Sequence, residues 1–323
     1  DSEMFSPDDN SGSYIQRRNT TDESVKNSGE PQTRLYRQEE VLLRIPLHVQ
    51  MTRSVALQTL QPLISPEVRR RAPLEDLDDA ALLVLLLAHE RGRGRESRFQ
   101  AYIATLPYQA TCGYSPVLRS HAMEAIAALG SEMGLDVNGW PTELMKAYDY
   151  AERISSALAR DYGSFIYIPQ NARAFSLIQW SLCQVASRAI AGSSKHGSLR
   201  LVPMLDMINH DASAGSYVEI KGNERIEAGD FLDADEDDSG TFVVRSTRNG
   251  KIKPLMKGQE LLANYNVPEY SSLDWFISMG FVPPERSGRW IKVDGVLPRV
   301  RREGPGVNDN HATKAKQQSR PEL

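Results

Sequence analysis

The spacing of apolar positions changes character twice along the chain. Residues 1–40 are polar, with Ser, Asn, Asp and Thr frequent, and read as loop or disorder. EEVLLRIPL (residues 39–47) then reads as a short buried strand that Pro46 stops. From about residue 62 to residue 191 the spacing becomes helical. AALLVLLLA (residues 80–88) is apolar on every side, which predicts a buried core helix, with Asp76 or Asp78 as its cap. PTELMKAYDYAERISSALARD (residues 141–161) opens on Pro141, a favoured first-turn residue. RAFSLIQWSLCQVASRAIAG (residues 173–192) places Phe175, Ile178, Leu182, Val185 and Ala189 on one helical face, with Gly192 as the expected cap. Strand patterns come next in RLVPML, SYVEIKG, GTFVVRST and QELLANY, with Lys257-Gly258 as a turn before the last.

The order is strand, long helical block, strands. No regular β-α alternation occurs, so a doubly wound parallel sheet fits poorly and an α+β organisation is expected. No internal repeat is visible. The stretch from Ser287 onward, especially RREGPGVNDNHATKAKQQSRPEL, reads as a flexible tail.

Composition narrows the function classes. The 323 residues are 40% hydrophobic and 25% charged, which permits a sizeable core. A net charge of -4 argues against a general polyanion binder, so no direct nucleic-acid partner is expected. The longest apolar run is too short to span a bilayer, and the N-terminus lacks an apolar signal core. The sequence opens on Asp1, the pattern of a trimmed or partial chain. Its two cysteines, Cys112 and Cys183, lack zinc-finger spacing and are too few for a disulfide framework. They fit an intracellular, reducing compartment, with cytoplasm, nucleus and plastid undistinguished.

Several standard chemistries fail on inspection. No phosphate loop of the Gly-x4-Gly-Lys-Ser/Thr type is present. RGRGR (residues 91–95) comes after a helix and opens no new one, so it reads as a solvated loop. GSSKHGS (residues 192–198) lacks the second glycine and the strand-turn-helix setting of a serine-nucleophile elbow. GDFLDADEDDSG (residues 229–240) imitates a calcium loop, but Asp238 stands where glycine is needed and Val244 where glutamate is needed. His89, His121, His196 and His311 have no ligand spacing with carboxylates, and no metal site is expected.

LVPMLDMINHD (residues 201–211) is different. An apolar run ends on Asp206, Asn209, His210 and Asp211, and burying such groups is costly unless each finds a partner. Read with GQELLANYNVPEYSSLDWFISMGFVPP (residues 258–284), it resembles the SET-domain methyltransferases, specifically the Rubisco large-subunit methyltransferase-like group. The resemblance rests on Asp206-x-x-Asn209-His210, then Gly258-x-Glu260 with Tyr265, then Met279-Gly280-Phe281. EEVLLRIPLHVQMT, SRFQAYIATLP (residues 97–107), Ser187-Arg188 and Tyr217 match weaker marks in the same order.

The resemblance implies a SET β-fold with a chain-crossing pseudoknot, a rarity among folds, and a large helical insert. It divides the chain into an N-terminal SET part (1–62), the insert (63–186), a C-terminal SET part (187–285) and a tail (286–323). It implies S-adenosylmethionine as cofactor, held by Asn209, His210, Arg188, Asp206, Met207 and Ile208. Asn10, Ser11 and Gly12 stand where the family carries Gly-x-Gly, with Asn10 replacing the first glycine. Tyr265 becomes the candidate catalytic residue. Ser187, Tyr217, Met279 and Phe281 become the walls of a substrate channel.

The partner implied is a lysine-bearing protein segment, taken by a monomer. Leu205 stands where the histidine-methylating branch carries Trp, which favours lysine over the alternative, histidine. Only about forty residues come after Phe281, too few for the family's substrate-gripping helical lobe. That shortfall and the Asn10 replacement keep a third reading open, a SET-like interaction module without catalysis.

Overall fold

The computed structural model describes residues 41–108, 112, 123–124, 126–127, 138–170, 172–192, 194–214, 217–222, 238–245, 258–265, 267–287 and 291–292. The chain is mixed, with helices packed among small sheets. β1 (Val41–Ile45) ends at Pro46, which lacks the N–H a ladder needs. The main sheet runs β1-β6-β5, with β5 (Tyr217–Gly222) and β6 (Asp238–Arg245) both antiparallel to their neighbours. Phe242, Val243 and Val244 of the central strand are all buried, so both of its faces are covered. Ile45, Phe242 and Val244 pack with Val202, Leu205, Ile208 and Ala263, and this small core lies under the Asn-His segment.

The first three α-helices start where a side chain accepts from an early N–H group. Thr52 caps α1 (Arg53–Leu60), and Ser65 caps α2 (Pro66–Arg71). Of the two aspartates expected at the next helix, Asp78 caps α3 (Asp79–Arg93), accepting from the Ala81 N–H at 2.7 Å. Every residue from Leu82 to Ala88 is fully buried, so α3 is the axis of the larger core. Around it stand α1, the short α4 (Gln100–Ile103), α5 (Trp140–Tyr162) and α6 (Ala174–Arg188).

Four expectations are corrected. RGRGR is not a loop, because Arg91, Gly92 and Arg93 complete α3 and Gly94–Glu96 continue it as a 3-10 turn. A Cβ on Gly92 would lie 1.9 Å from the Tyr167 carbonyl oxygen, and this close approach requires glycine. Helix α6 ends at Arg188, not near Gly192, because Ala189 is extended and Ile190–Ala191 pairs with Leu199–Arg200 as β2 and β3. RLVPML holds only the second residue of β3, Arg200, and QELLANY only a two-residue strand, Leu262–Ala263. Cys112 and Cys183 are joined in a disulfide, so their count no longer argues for a reducing compartment. Among the described residues, no helix is long and apolar enough to cross a membrane.

Candidate active site

The Asn-His segment begins with a backbone outlier. Met204 has φ 69°, and among the described residues it is the one non-glycine with positive φ. Such a conformation costs on the order of 1–2 kcal/mol for an L-residue. It reverses the chain into a single 3-10 turn, Leu205–Met207, which buries Leu205 and aims Asp206 inward. The chain then extends as β4 (Asn209–His210) and pairs in parallel with β7 (Leu262–Ala263), Asn209 opposite Leu262 and His210 opposite Ala263. Two separate segments are thereby clamped side by side, with Tyr265 just beyond the second.

Asp206 is the hub. Its side chain is fully buried and meets Arg188, at the end of α6, in a 3.2 Å ion pair. The Tyr102 hydroxyl, from α4, donates to the same Asp206 Oδ2 at 2.9 Å. Arg188 also donates to the Asp206 carbonyl at 3.2 Å and, through Nε, to Gln184 Oε1 at 3.0 Å. Burial raises the Asp206 pKa, while Arg188 and Tyr102 work against that rise. Burial and the Asp206 carboxylate also push the Tyr102 hydroxyl far up. Two buried atoms beside these contacts, Asp206 Oδ1 and Gln184 Nε2, have no partner among the described residues. One is an acceptor and the other a donor, and leaving such atoms unpaired costs roughly 1–3 kcal/mol each.

Tyr265 lies against this cluster. Its hydroxyl donates to the Ile208 carbonyl at 2.7 Å. Burial pushes its pKa up to about 12, with Arg188 pulling down and Asp206 pushing up. The hydroxyl is therefore protonated at neutral pH. Its proton is committed to Ile208, so the oxygen's lone pairs remain available to accept.

An aromatic wall stands on one side. The His210 ring is 5.0 Å from that of Tyr265 and 4.8 Å from that of Trp275, and Tyr265 stacks on Trp275 at 6.0 Å. Trp275 belongs to α7 (Ser272–Met279), which opens with a capping box between Ser271 and Asp274. Gly280, left-handed with φ 76°, ends α7 and turns the chain into β8 (Phe281–Val282), setting the Phe281 ring 5.5 Å from that of Trp275.

The structure thus brings Arg188, Asp206, Ile208, His210, Tyr265 and Phe281 into one region. Asn209 is exposed and donates through Nδ2 to Glu260 Oε1 at 2.6 Å. Met207 is exposed. Met279 ends α7 and is partly buried. Ser187 does not present a free hydroxyl, because its Oγ donates back to the Cys183 carbonyl at 2.9 Å. Tyr217 lies in β5 opposite Arg245, and its side chain falls outside the described residues, as do Asn10, Ser11 and Gly12.

Sequence reasoning missed Tyr102, Gln184 and Trp275. Gln184 had a signal, since it falls seven residues after Leu177 on the buried face of α6. Tyr102 and Trp275 carried none beyond their aromatic type. Among the described residues, no group of His, Cys, Asp or Glu is arranged to hold a metal ion.

No family model matches the chain, and no curated protein matches it. Among solved structures, the SET domain of LSMT bound to lysine and AdoHcy is similar at 19% identity and a TM-score of 0.49, over 76% of this chain and 48% of that one. The same domain bound to MeLysine and AdoHcy is similar at 18% identity and a TM-score of 0.49, over 77% and 49%. The chain spans about half the length of these solved chains.

Proposed function

We propose that the chain is a SET-type protein-lysine N-methyltransferase that uses S-adenosylmethionine. One observation carries the reading. The hydroxyl of the half-buried Tyr265 is held proton-forward by Ile208, beside the Arg188–Asp206 pair and two buried atoms, the acceptor Asp206 Oδ1 and the donor Gln184 Nε2, that have no partner among the described residues. The parallel pairing of residues 209–210 with residues 262–263 supports it, because the implied pseudoknot needs two such segments side by side.

The residues fit the cofactor. Its amino-acid end carries an ammonium and a carboxylate, which match the unpartnered Asp206 Oδ1 and Gln184 Nε2. Arg188, Asp206, Met207, Ile208, Asn209 and His210 would hold it. When bound, it supplies an electrophilic sulfonium methyl group.

The chain's own part is positioning. Tyr265 is a phenol at neutral pH, so it does not act as an anionic base. Its lone pairs accept an N–H of a neutral lysine amine and fix the direction of the nitrogen's own lone pair, a near-attack arrangement. The fixed oxygen dipoles of Tyr265 and the Ile208 carbonyl also favour the positive charge that gathers on the nitrogen as the bond forms. The aromatic wall of His210, Trp275 and Phe281 keeps bulk water from one side.

Two measurements test this reading. Calorimetric titration with S-adenosylmethionine should show one site, and absence of heat would leave an interaction module. Labelled cofactor incubated with the chain and a cell lysate should place label on lysine. Label on histidine would move the acceptor to an imidazole.

A further inference from the structure

His210 is buried, and both of its ring nitrogens are engaged. The main-chain N–H of Tyr265 donates to His210 Nδ1 at 3.1 Å. Nδ1 therefore accepts and carries no proton, so in the neutral ring the proton sits on Nε2. Nε2 faces Glu285 Oε1 in a short hydrogen bond. Glu285 comes from α8 (Pro284–Ser287), 75 residues farther along, and its neighbour Arg286 donates to the Pro268 carbonyl at 2.7 Å.

We infer that Glu285 is a positioning residue for Tyr265, acting through the imidazole of His210. The carboxylate accepts the Nε2 proton and so selects one tautomer. Only that tautomer offers Nδ1 as an acceptor to the Tyr265 N–H. The opposite tautomer would set an N–H against an N–H and push the Tyr265 backbone away. The relay thus fixes the residue whose hydroxyl reaches Ile208, and it does so from outside the Asn-His and Tyr segments. Carboxylates that orient a histidine and set its tautomer have the same logic at metal and triad sites. The role in methyl transfer rests on the function proposed above; the tautomer and the Tyr265 contact do not.

The test separates the two. Nitrogen-15 imidazole spectra of the full chain, with His210 assigned by His210→Asn, should show the Nε2–H tautomer. Amide exchange at Tyr265 should rise at least tenfold in Glu285→Ala, with exchange at Ala56 in α1 unchanged. Glu285→Gln still offers an acceptor to Nε2–H and should hold Tyr265 exchange within threefold of wild type. Transfer of labelled methyl into lysate protein should fall at least tenfold in Glu285→Ala at saturating cofactor, with cofactor affinity within twofold, and Glu285→Gln should restore most of it. An Nδ1–H tautomer in the wild type, or unchanged Tyr265 exchange in Glu285→Ala, would overturn the inference. If Glu285→Ala does not fold, Glu285→Met, which removes the acceptor and keeps the volume, should raise Tyr265 exchange at least tenfold, and unchanged exchange there would overturn the inference. A wild-type chain that transfers nothing but shows the tautomer and the exchange change would sink the proposed function while leaving the relay standing.

Discussion

The Tyr265 hydroxyl donates to the Ile208 carbonyl at 2.7 Å, joining residues that lie 57 positions apart. This contact ties the tyrosine to the backbone of the Asn-His segment and settles where its proton points. Tyr265→Phe removes it with little change in volume. Methyl transfer should fall roughly 100- to 1000-fold, the range seen when one aimed polar group is deleted from a preorganised site. Cofactor affinity should hold, and unfolding free energy should drop by about 1–3 kcal/mol from the orphaned carbonyl. Single-turnover transfer and a denaturant melt measure these effects, and wild-type turnover would remove Tyr265 from the chemistry.

Asp206 and Asp79 should respond to pH in opposite senses. Burial raises the native pKa of Asp206, so the native state holds that proton more tightly than the unfolded state does. Stability from this group declines as pH rises from the ordinary carboxylate pKa to the raised native one, by about 1.4 kcal/mol per pH unit while the window lasts. Asp206→Asn cannot titrate and should lose that slope. Burial also pushes Asp79 upward, but bonds from Ser198, Arg53 and Leu199 outweigh it, and its pKa is lowered. Its contribution is full above the ordinary carboxylate pKa and is lost as pH falls through the lowered value. Melts of wild type, Asp206→Asn and Asp79→Asn across acid to neutral pH would show both signs.

The Cys112–Cys183 disulfide closes a loop of 71 residues onto α6, the helix that carries Gln184 and Arg188. The chain-entropy estimate for such a loop is about 4 kcal/mol. A reductant or Cys183→Ser should lower unfolding free energy by roughly that amount in guanidinium titrations. An unchanged midpoint would show that the pairing adds nothing.

Gly92→Ala inverts a helix-propensity expectation. Alanine in a helix interior normally gains about 1 kcal/mol over glycine. Here the new methyl meets the Tyr167 carbonyl oxygen at 1.9 Å, so α3 or the Tyr167 backbone must move. A net loss of about 1–3 kcal/mol is expected, the usual cost of overpacking, and thermal unfolding reads it directly.

Periodicity revealed what periodicity can encode. The buried α3, the amphipathic α6, the strand before Pro46 and the Asp78 cap are all legible from spacing and end signals within a few residues, although that strand buries only Ile45 and not the whole run expected. The polar end of an apolar run marked the Asn-His segment alone, and only the resemblance to the SET-domain methyltransferases paired it with the Tyr segment. What spacing does not carry is contact between distant residues. Tyr102 reaches Asp206 across 104 positions, and Glu285 reaches His210 across 75. Neither residue breaks its local pattern, so nothing nearby marks it. The disulfide was missed for the same reason, since two cysteines declare a pair only once the chain has folded back. The early end of α6 was missed because the apolar Ala189 and Ile190 continue the stripe after the backbone has left the helix.

Because β4 and β7 pair in parallel, the chain must leave the site after His210, travel through β5 and β6, and come back to the same edge. The return is what matters, not the route. Loop-closure entropy grows only with the logarithm of length, so each doubling of the excursion costs about 0.6 kcal/mol. Insertions between β5 and β6 should therefore be tolerated during evolution, while the two clamped segments themselves cannot lengthen without breaking register. The same route sets a clock on biosynthesis. A nascent chain that has emerged only through His210 holds Arg188, Asp206 and Tyr102 but not Tyr265, and the site closes only when the ribosome has released Glu285.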